Sequence, residues 1–129
     1  MTSPADLGVD AAGAQQLPGG VTLVVADRLA AVWLDRPEVR NAQTFATWAS
    51  LAHVAATLPA SCDVVQLRGS GPDFSAGLDL RQLRPGGSPE GSVADLLARS
   101  DADADATLAG FQQAFTAWRA LPAVVVAVV

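Results

Sequence analysis

Small residues and two close glycines interrupt an apolar strand in the stretch Leu67-Arg68-Gly69-Ser70-Gly71-Pro72-Asp73-Phe74-Ser75-Ala76-Gly77-Leu78-Asp79-Leu80. The chain loops through Gly69 and Gly71, regains its apolar pattern at Phe74, and then reads as a short helix over 78–83. The first N–H groups of a helix lack internal acceptors, and the macrodipole there favours negative charge. A loop of this kind can hold an oxyanion with backbone donors alone. The plainer alternative is a compact strand-to-helix connection.

The elements that must position this loop alternate along the chain. Residues 21–26 and 29–34 read as a hairpin with a tight turn at Asp27-Arg28, and Pro37 with its charged neighbours ends the second strand. From Gln43 the apolar positions Phe45, Trp48, Ala52, Ala55 and Leu58 recur at three- and four-residue steps, a helical stripe that ends at Pro59. The nearly continuous apolar run over 63–68 predicts a strand covered on both faces. A flexible loop over 84–91 and a short helix over 92–99 follow. Ser100 and Asp101 can cap a longer helix, with Asp103 and Asp105 in its positive first turn and Leu108, Phe111, Phe115 and Trp118 along one face. Pro122 stops it, and 123–129 reads as a buried parallel strand. Strands alternating with helices predict an α/β arrangement. Residues 1–20, rich in Ala, Gly, Pro and Gln, are expected to form a flexible leader.

A second motif precedes the loop. Val32-Trp33-Leu34-Asp35-Arg36-Pro37 leads into Asn41-Ala42, and Val64-Val65-Gln66-Leu67 then leads into Gly69 through Leu80. In this order and spacing the sequence resembles the enoyl-CoA hydratase/isomerase family, the crotonase superfamily, from about Val21 to Val129. The resemblance implies a crotonase-like (ClpP/crotonase) β-β-α spiral, of which residues 21–129 supply a truncated acyl-CoA-binding domain, the N-terminal part only. It implies an acyl-CoA thioester as substrate, coenzyme A being part of that substrate, and no separate cofactor. By the same resemblance the backbone N–H of Leu78 is the first oxyanion donor for an enolate. Ser75, Ala76 and Gly77 shape the approach to the thioester, with Gly77 permitting a path that a β-carbon would obstruct. Arg40 and Arg81 occupy positions suited to the nucleotide phosphates, the alternative being solvated surface charge. Ala42 lies by the adenine pocket. Asp79 matches the family's acidic position, where a carboxylate also suits capping the turn. Asn41 is expected to tie down the loop before the first helix.

In complete members of the hydratase type two glutamates activate water, and no residue of this chain matches them. The resemblance therefore implies a chain inactive on its own, with trimers or hexamers formed by complete members. A non-catalytic acyl-CoA-binding or subunit-association module stands beside this reading. So does a sibling chemistry, such as an isomerase, a decarboxylase or a thioester hydrolase.

Composition sets the outer bounds. The 129 residues are one domain by length, and 50% of them are apolar, enough to bury a core. A net charge of −5 argues against nucleic acid or an anionic membrane as a general partner. All eight basic residues are Arg, so any phosphate contact is a guanidinium. Cys62 is the lone cysteine and excludes an intrachain disulfide. No signal peptide is recognisable, and the final apolar run is too short for a bilayer, which together predict a soluble cytoplasmic protein. Rival chemistries fail on spacing. Asp73 stands where a G-x-S-x-G elbow around Ser75 needs glycine. His53, the only histidine, reads as partly buried and structural, and with Cys62 it does not make a metal site. Gly69-Ser70-Gly71 lacks the third glycine of a dinucleotide fingerprint.

Overall fold

The computed structural model describes residues 13–129. Five strands form one sheet in the order β1 (Ala14–Leu17), β2 (Val21–Ala26), β3 (Leu29–Leu34), β4 (Val64–Gly69) and β5 (Val124–Val128). The first three are antiparallel, and β3, β4 and β5 run parallel. Between β3 and β4 lies α1 (Phe45–Thr57); α2 (Val93–Leu97) and α3 (Asp101–Thr116) lie between β4 and β5. Short 3-10 turns span Pro37–Val39, Leu80–Leu83 and Ala117–Ala120.

Local chemistry explains most of these boundaries. The Oγ1 of Thr44 accepts from the Thr47 N–H at 3.3 Å while the Thr44 N–H donates to Thr47 Oγ1 at 3.0 Å, so α1 starts with a reciprocal cap. Ser100 caps α3 by accepting from the Asp103 N–H at 3.3 Å. At the hairpin turn, Asp27 adopts a φ of 51°, and the Arg28 guanidinium pairs with Asp63 at the foot of β4.

The main core lies on one face of the sheet. There Val21, Ala30, Val32, Leu34 and Val65 meet Leu51, Val54 and Ala55 of α1, Ala114 of α3, and Trp118. Val24, Ala31 and Trp33 form a smaller cluster of their own. The Arg68 guanidinium covers the Trp33 ring at 5.0 Å. Aromatic rings join α1 to α3: Phe45 and Trp48 stand 4.5 and 5.0 Å from Phe111 between centroids.

Four expectations need correction. Residues 14–20 are not a flexible leader: β1 pairs with β2, and the carbonyls of Pro18 and Gly19 accept from Ser50 and Thr47 at 2.7 Å each. Residues 1–12 of that expected leader lie outside the described residues. The helix expected from Leu78 begins only at Leu80 and lasts a single 3-10 turn. On β4 only Val65 is fully buried, because one face of the sheet carries both long helices. β5 is parallel but open at its edge, with Val124 64% and Val126 43% exposed.

Candidate functional site

The two motifs meet in space. The Asn41 side chain accepts from the Arg36 N–H at 2.9 Å and donates to the carbonyls of Ser70 and Asp73 at 2.9 and 2.8 Å. Asn41 is almost wholly buried, so these bonds satisfy its own amide where water does not reach. Arg40 and Asn41 both adopt a φ of 54°, which turns the chain sharply enough to lie along the glycine loop. From there the Arg40 carbonyl accepts from the Ala76 N–H at 2.8 Å.

Gln43 continues this contact as one rung of a parallel bridge. Its N–H donates to the Gly77 carbonyl at 2.7 Å, and its carbonyl accepts from the Asp79 N–H at 2.8 Å. Both bonds point one way along the pleat, so the intervening Leu78 N–H points the other way. Among the described residues that N–H meets no acceptor. Its freedom comes from this bridge and not from a helix start, since the Leu80–Leu83 turn is capped one residue later by Asp79. Ala76 and Gly77 are exposed beside it.

Gly77 is needed for its backbone, not for space. Its φ is +90°, while an added Cβ would meet nothing within 4 Å. The expected steric obstruction is therefore replaced by a conformational one: side-chain-bearing residues rarely adopt this φ. The Ser75 hydroxyl is fully engaged. It donates to the Asn41 carbonyl at 2.8 Å and accepts from Gln43 Nε2 at 2.9 Å and the Gly77 N–H at 3.1 Å.

The charged candidates are paired. Arg40 makes a forked contact with Asp73 at 3.0 and 3.2 Å, and its side chain is 72% exposed. Asp79 is buried between two guanidinium groups: Arg81 donates to it at 2.7 and 3.0 Å and Arg36 at 3.3 Å. The hydrogen bond from Arg81 holds the Asp79 carboxyl far below the usual carboxylate range, against the opposing effect of burial. A carboxyl so held is a fixed anion and a poor proton donor at neutral pH. Ala42 is half-buried, and its carbonyl accepts from Arg36 Nη1 at 2.8 Å. His53, expected to be partly buried, is exposed on the outer side of α1 and lies away from the loop's hydrogen bonds.

Two cavities flank this region. An apolar one of about 240 Å³ is walled by Val32, Leu51, Phe74, Phe115 and Trp118, with Gln43 at its polar side. A polar one of about 370 Å³ is lined by Arg36, Asp79, Arg81, Gln82 and Glu90. Arg36 and Gln43 are site residues that the sequence alone does not single out: the Arg-Pro pair just after β3 signals the first, while the second opens the apolar stripe that predicts a helix. Among the described residues, no group of three or more His, Cys, Asp or Glu side chains could hold a metal ion. No described helix is long and apolar enough to cross a membrane.

No family model matches this sequence, and no curated protein matches it significantly. Solved structures do match. A Thermobifida fusca YX protein assigned as an enoyl-CoA hydratase, in complex with acetoacetyl-CoA, is 35% identical with a TM-score of 0.78, over 84% of this chain and 42% of its own. This is the fold of the enoyl-CoA hydratase/isomerase family, the crotonase superfamily. A second crotonase-fold structure of the same description from Thermobifida fusca YX, in complex with CoA, is 33% identical with a TM-score of 0.75, over 84% and 40%. An enoyl-CoA hydratase/carnithine racemase from Magnetospirillum magneticum is 28% identical with a TM-score of 0.68, over 91% of this chain and 40% of its own. The chain thus spans about two fifths of the length of the crotonase-fold proteins it matches.

Proposed function

We propose that the Ser75–Asp79 loop binds an acyl-CoA thioester and offers the Leu78 N–H to its carbonyl oxygen. The observation that carries this reading is an exposed loop whose neighbouring amides are bonded internally while that of Leu78 is not. The similar Thermobifida fusca YX structures, in complex with acetoacetyl-CoA and CoA, support the same ligand class. A preorganised N–H stabilises the oxygen as it gains charge in an enolate, and losing one such donor costs on the order of 10²–10³ in rate.

Arg40 and Arg81 are the proposed contacts for the nucleotide phosphates. Each donates from Nε and Nη2 to its aspartate partner, and Nη1 of neither makes a hydrogen bond among the described residues. A guanidinium with spare donors can take a phosphate oxygen without leaving its carboxylate. Ala42 and Ala76 present small side chains beside the path of the ligand. The 129 residues bind and polarise the thioester without adding water, because none of them matches the glutamates that activate water in hydratases. Enolate stabilisation itself serves hydration, isomerisation and decarboxylation alike.

Titration calorimetry with acetoacetyl-CoA tests this reading. Saturable binding is expected, with a rise in the near-ultraviolet absorbance of the bound enolate, and no consumption of crotonyl-CoA. Absence of binding at millimolar ligand overturns the reading.

A further inference from the structure

Gln43 engages α1 and the glycine loop with all of its hydrogen-bonding groups. Its backbone brackets Leu78, donating to Gly77 and accepting from Asp79. Its side chain adds a second link: Oε1 accepts from Trp48 Nε1–H at 2.8 Å, and Nε2 donates to Ser75 Oγ at 2.9 Å. An indole N–H only donates, so Oε1 must face Trp48 and the NH₂ must face Ser75. Ser75 Oγ then has one lone pair filled by Gln43 and its proton committed to the Asn41 carbonyl, which leaves one lone pair for the Gly77 N–H at 3.1 Å. A directed series results, from Trp48 through Gln43 and Ser75 to the loop amides. Its origin is rigid, since Trp48 packs 5.7 Å from Phe45, 5.0 Å from Phe111 and 6.0 Å from Phe115 between ring centroids.

Resting on the oxyanion reading above, we infer that Gln43 is the positioning residue of the oxyanion loop. Its carboxamide, aligned by Trp48, fixes the Ser75 rotamer. Ser75 in turn occupies the Gly77 N–H and leaves Leu78 as the amide presented to ligand. Gln43 touches no reacting atom. It acts through Ser75, and it selects which of two successive amides is the donor.

The test compares two ligands. CoA lacks the thioester carbonyl. Acetoacetyl-CoA carries it, and on binding to an oxyanion site loses a C2 proton to solvent as the electron pair moves onto the carbonyl oxygens. In Gln43→Leu both side-chain bonds vanish. Affinity for acetoacetyl-CoA and its enolate absorbance should then fall by roughly tenfold, less than outright loss of a donor, while CoA affinity stays unchanged. Gln43→Glu keeps the acceptor for Trp48 but offers Ser75 no donor while ionised. It should show the same loss at neutral pH and recover relative to wild type as the pH nears the ordinary glutamate range of about 4.3. Unchanged acetoacetyl-CoA binding in both variants overturns the inference, as does an equal loss for both ligands.

Should the wild-type chain bind neither ligand, the oxyanion reading fails by itself. Deuterium exchange at Gly77 and Leu78 then decides the role of Gln43. Faster Gly77 exchange in Gln43→Glu upholds the wiring, and unchanged exchange overturns it.

Discussion

Asn41 reaches 29 positions along the sequence to Ser70, donating from Nδ2 to its carbonyl at 2.9 Å. The same nitrogen serves the Asp73 carbonyl, so one side chain holds both ends of the turn that precedes the candidate site. Replacing Asn41 by Ala strands two carbonyls and the Arg36 N–H that donates to Oδ1. Unsatisfied buried groups cost about 1–3 kcal/mol. Urea unfolding of Asn41→Ala should show a loss of at least that size, and a midpoint equal to wild type would contradict this account.

Gly77→Ala separates backbone conformation from space. With φ at +90° and no atom near the new Cβ, the variant meets strain without a clash. Such strain costs on the order of 1–3 kcal/mol. The loop is expected to relax by turning its amides, so acyl-CoA affinity should fall more than stability does. Calorimetry beside thermal unfolding measures both.

Asp79 gives a pH signature with a definite sign. Its carboxyl titrates far lower in the folded chain, chiefly through the Arg81 hydrogen bond, than the ordinary aspartate value of about 3.9. The fold therefore gains from the ionised form at every pH above that value. The gain is lost progressively as pH falls below about 4 and through the folded value. Asp63 and Asp73 are also lowered by their arginine partners, but those pairs are exposed and contribute little. Comparing Asp79→Asn with wild type isolates the buried group: their urea midpoints should converge as the solution is acidified. A constant gap would exclude this role for Asp79.

Gly19→Ala probes the ordered segment before β2. At φ +76° its Cβ would fall on the Thr47 backbone inside the first turn of α1. A residue at an incompatible φ destabilises by more than about 1 kcal/mol, and the clash adds to this. The expected readout is a lowered melting temperature, together with faster exchange of the β1 amides.

The hairpin, α1, α3 and the parallel run were legible because their signals are local. Apolar period, Thr and Ser caps, and Pro stops each act within a few residues. The glycine loop was legible as a connection after β4 but not in its pairing. Its free amide follows from pairing between Gln43 and Leu78, a contact that crosses the whole of α1 and β4. β1 was missed because Gln15 and Gln16 weaken its apolar alternation, and its order comes from pairing with β2 and from side chains of α1. The burial of Asp79 was hidden for a similar reason: its partner Arg36 lies 43 positions earlier.

The parallel ladder also sets an order in time. The β1–β2–β3 meander needs only short turns. β4 reaches β3, and β5 reaches β4, by crossovers that carry the long helices. Closing such crossovers costs chain entropy before their contacts form, which slows assembly. Since the Leu78 amide takes its direction from Gln43 on the far side of the first crossover, the proposed ligand recognition should mature late. A chain halted after its meander would hold strands but offer no receptor, so ligand-dependent signals should trail hairpin formation in a refolding trace.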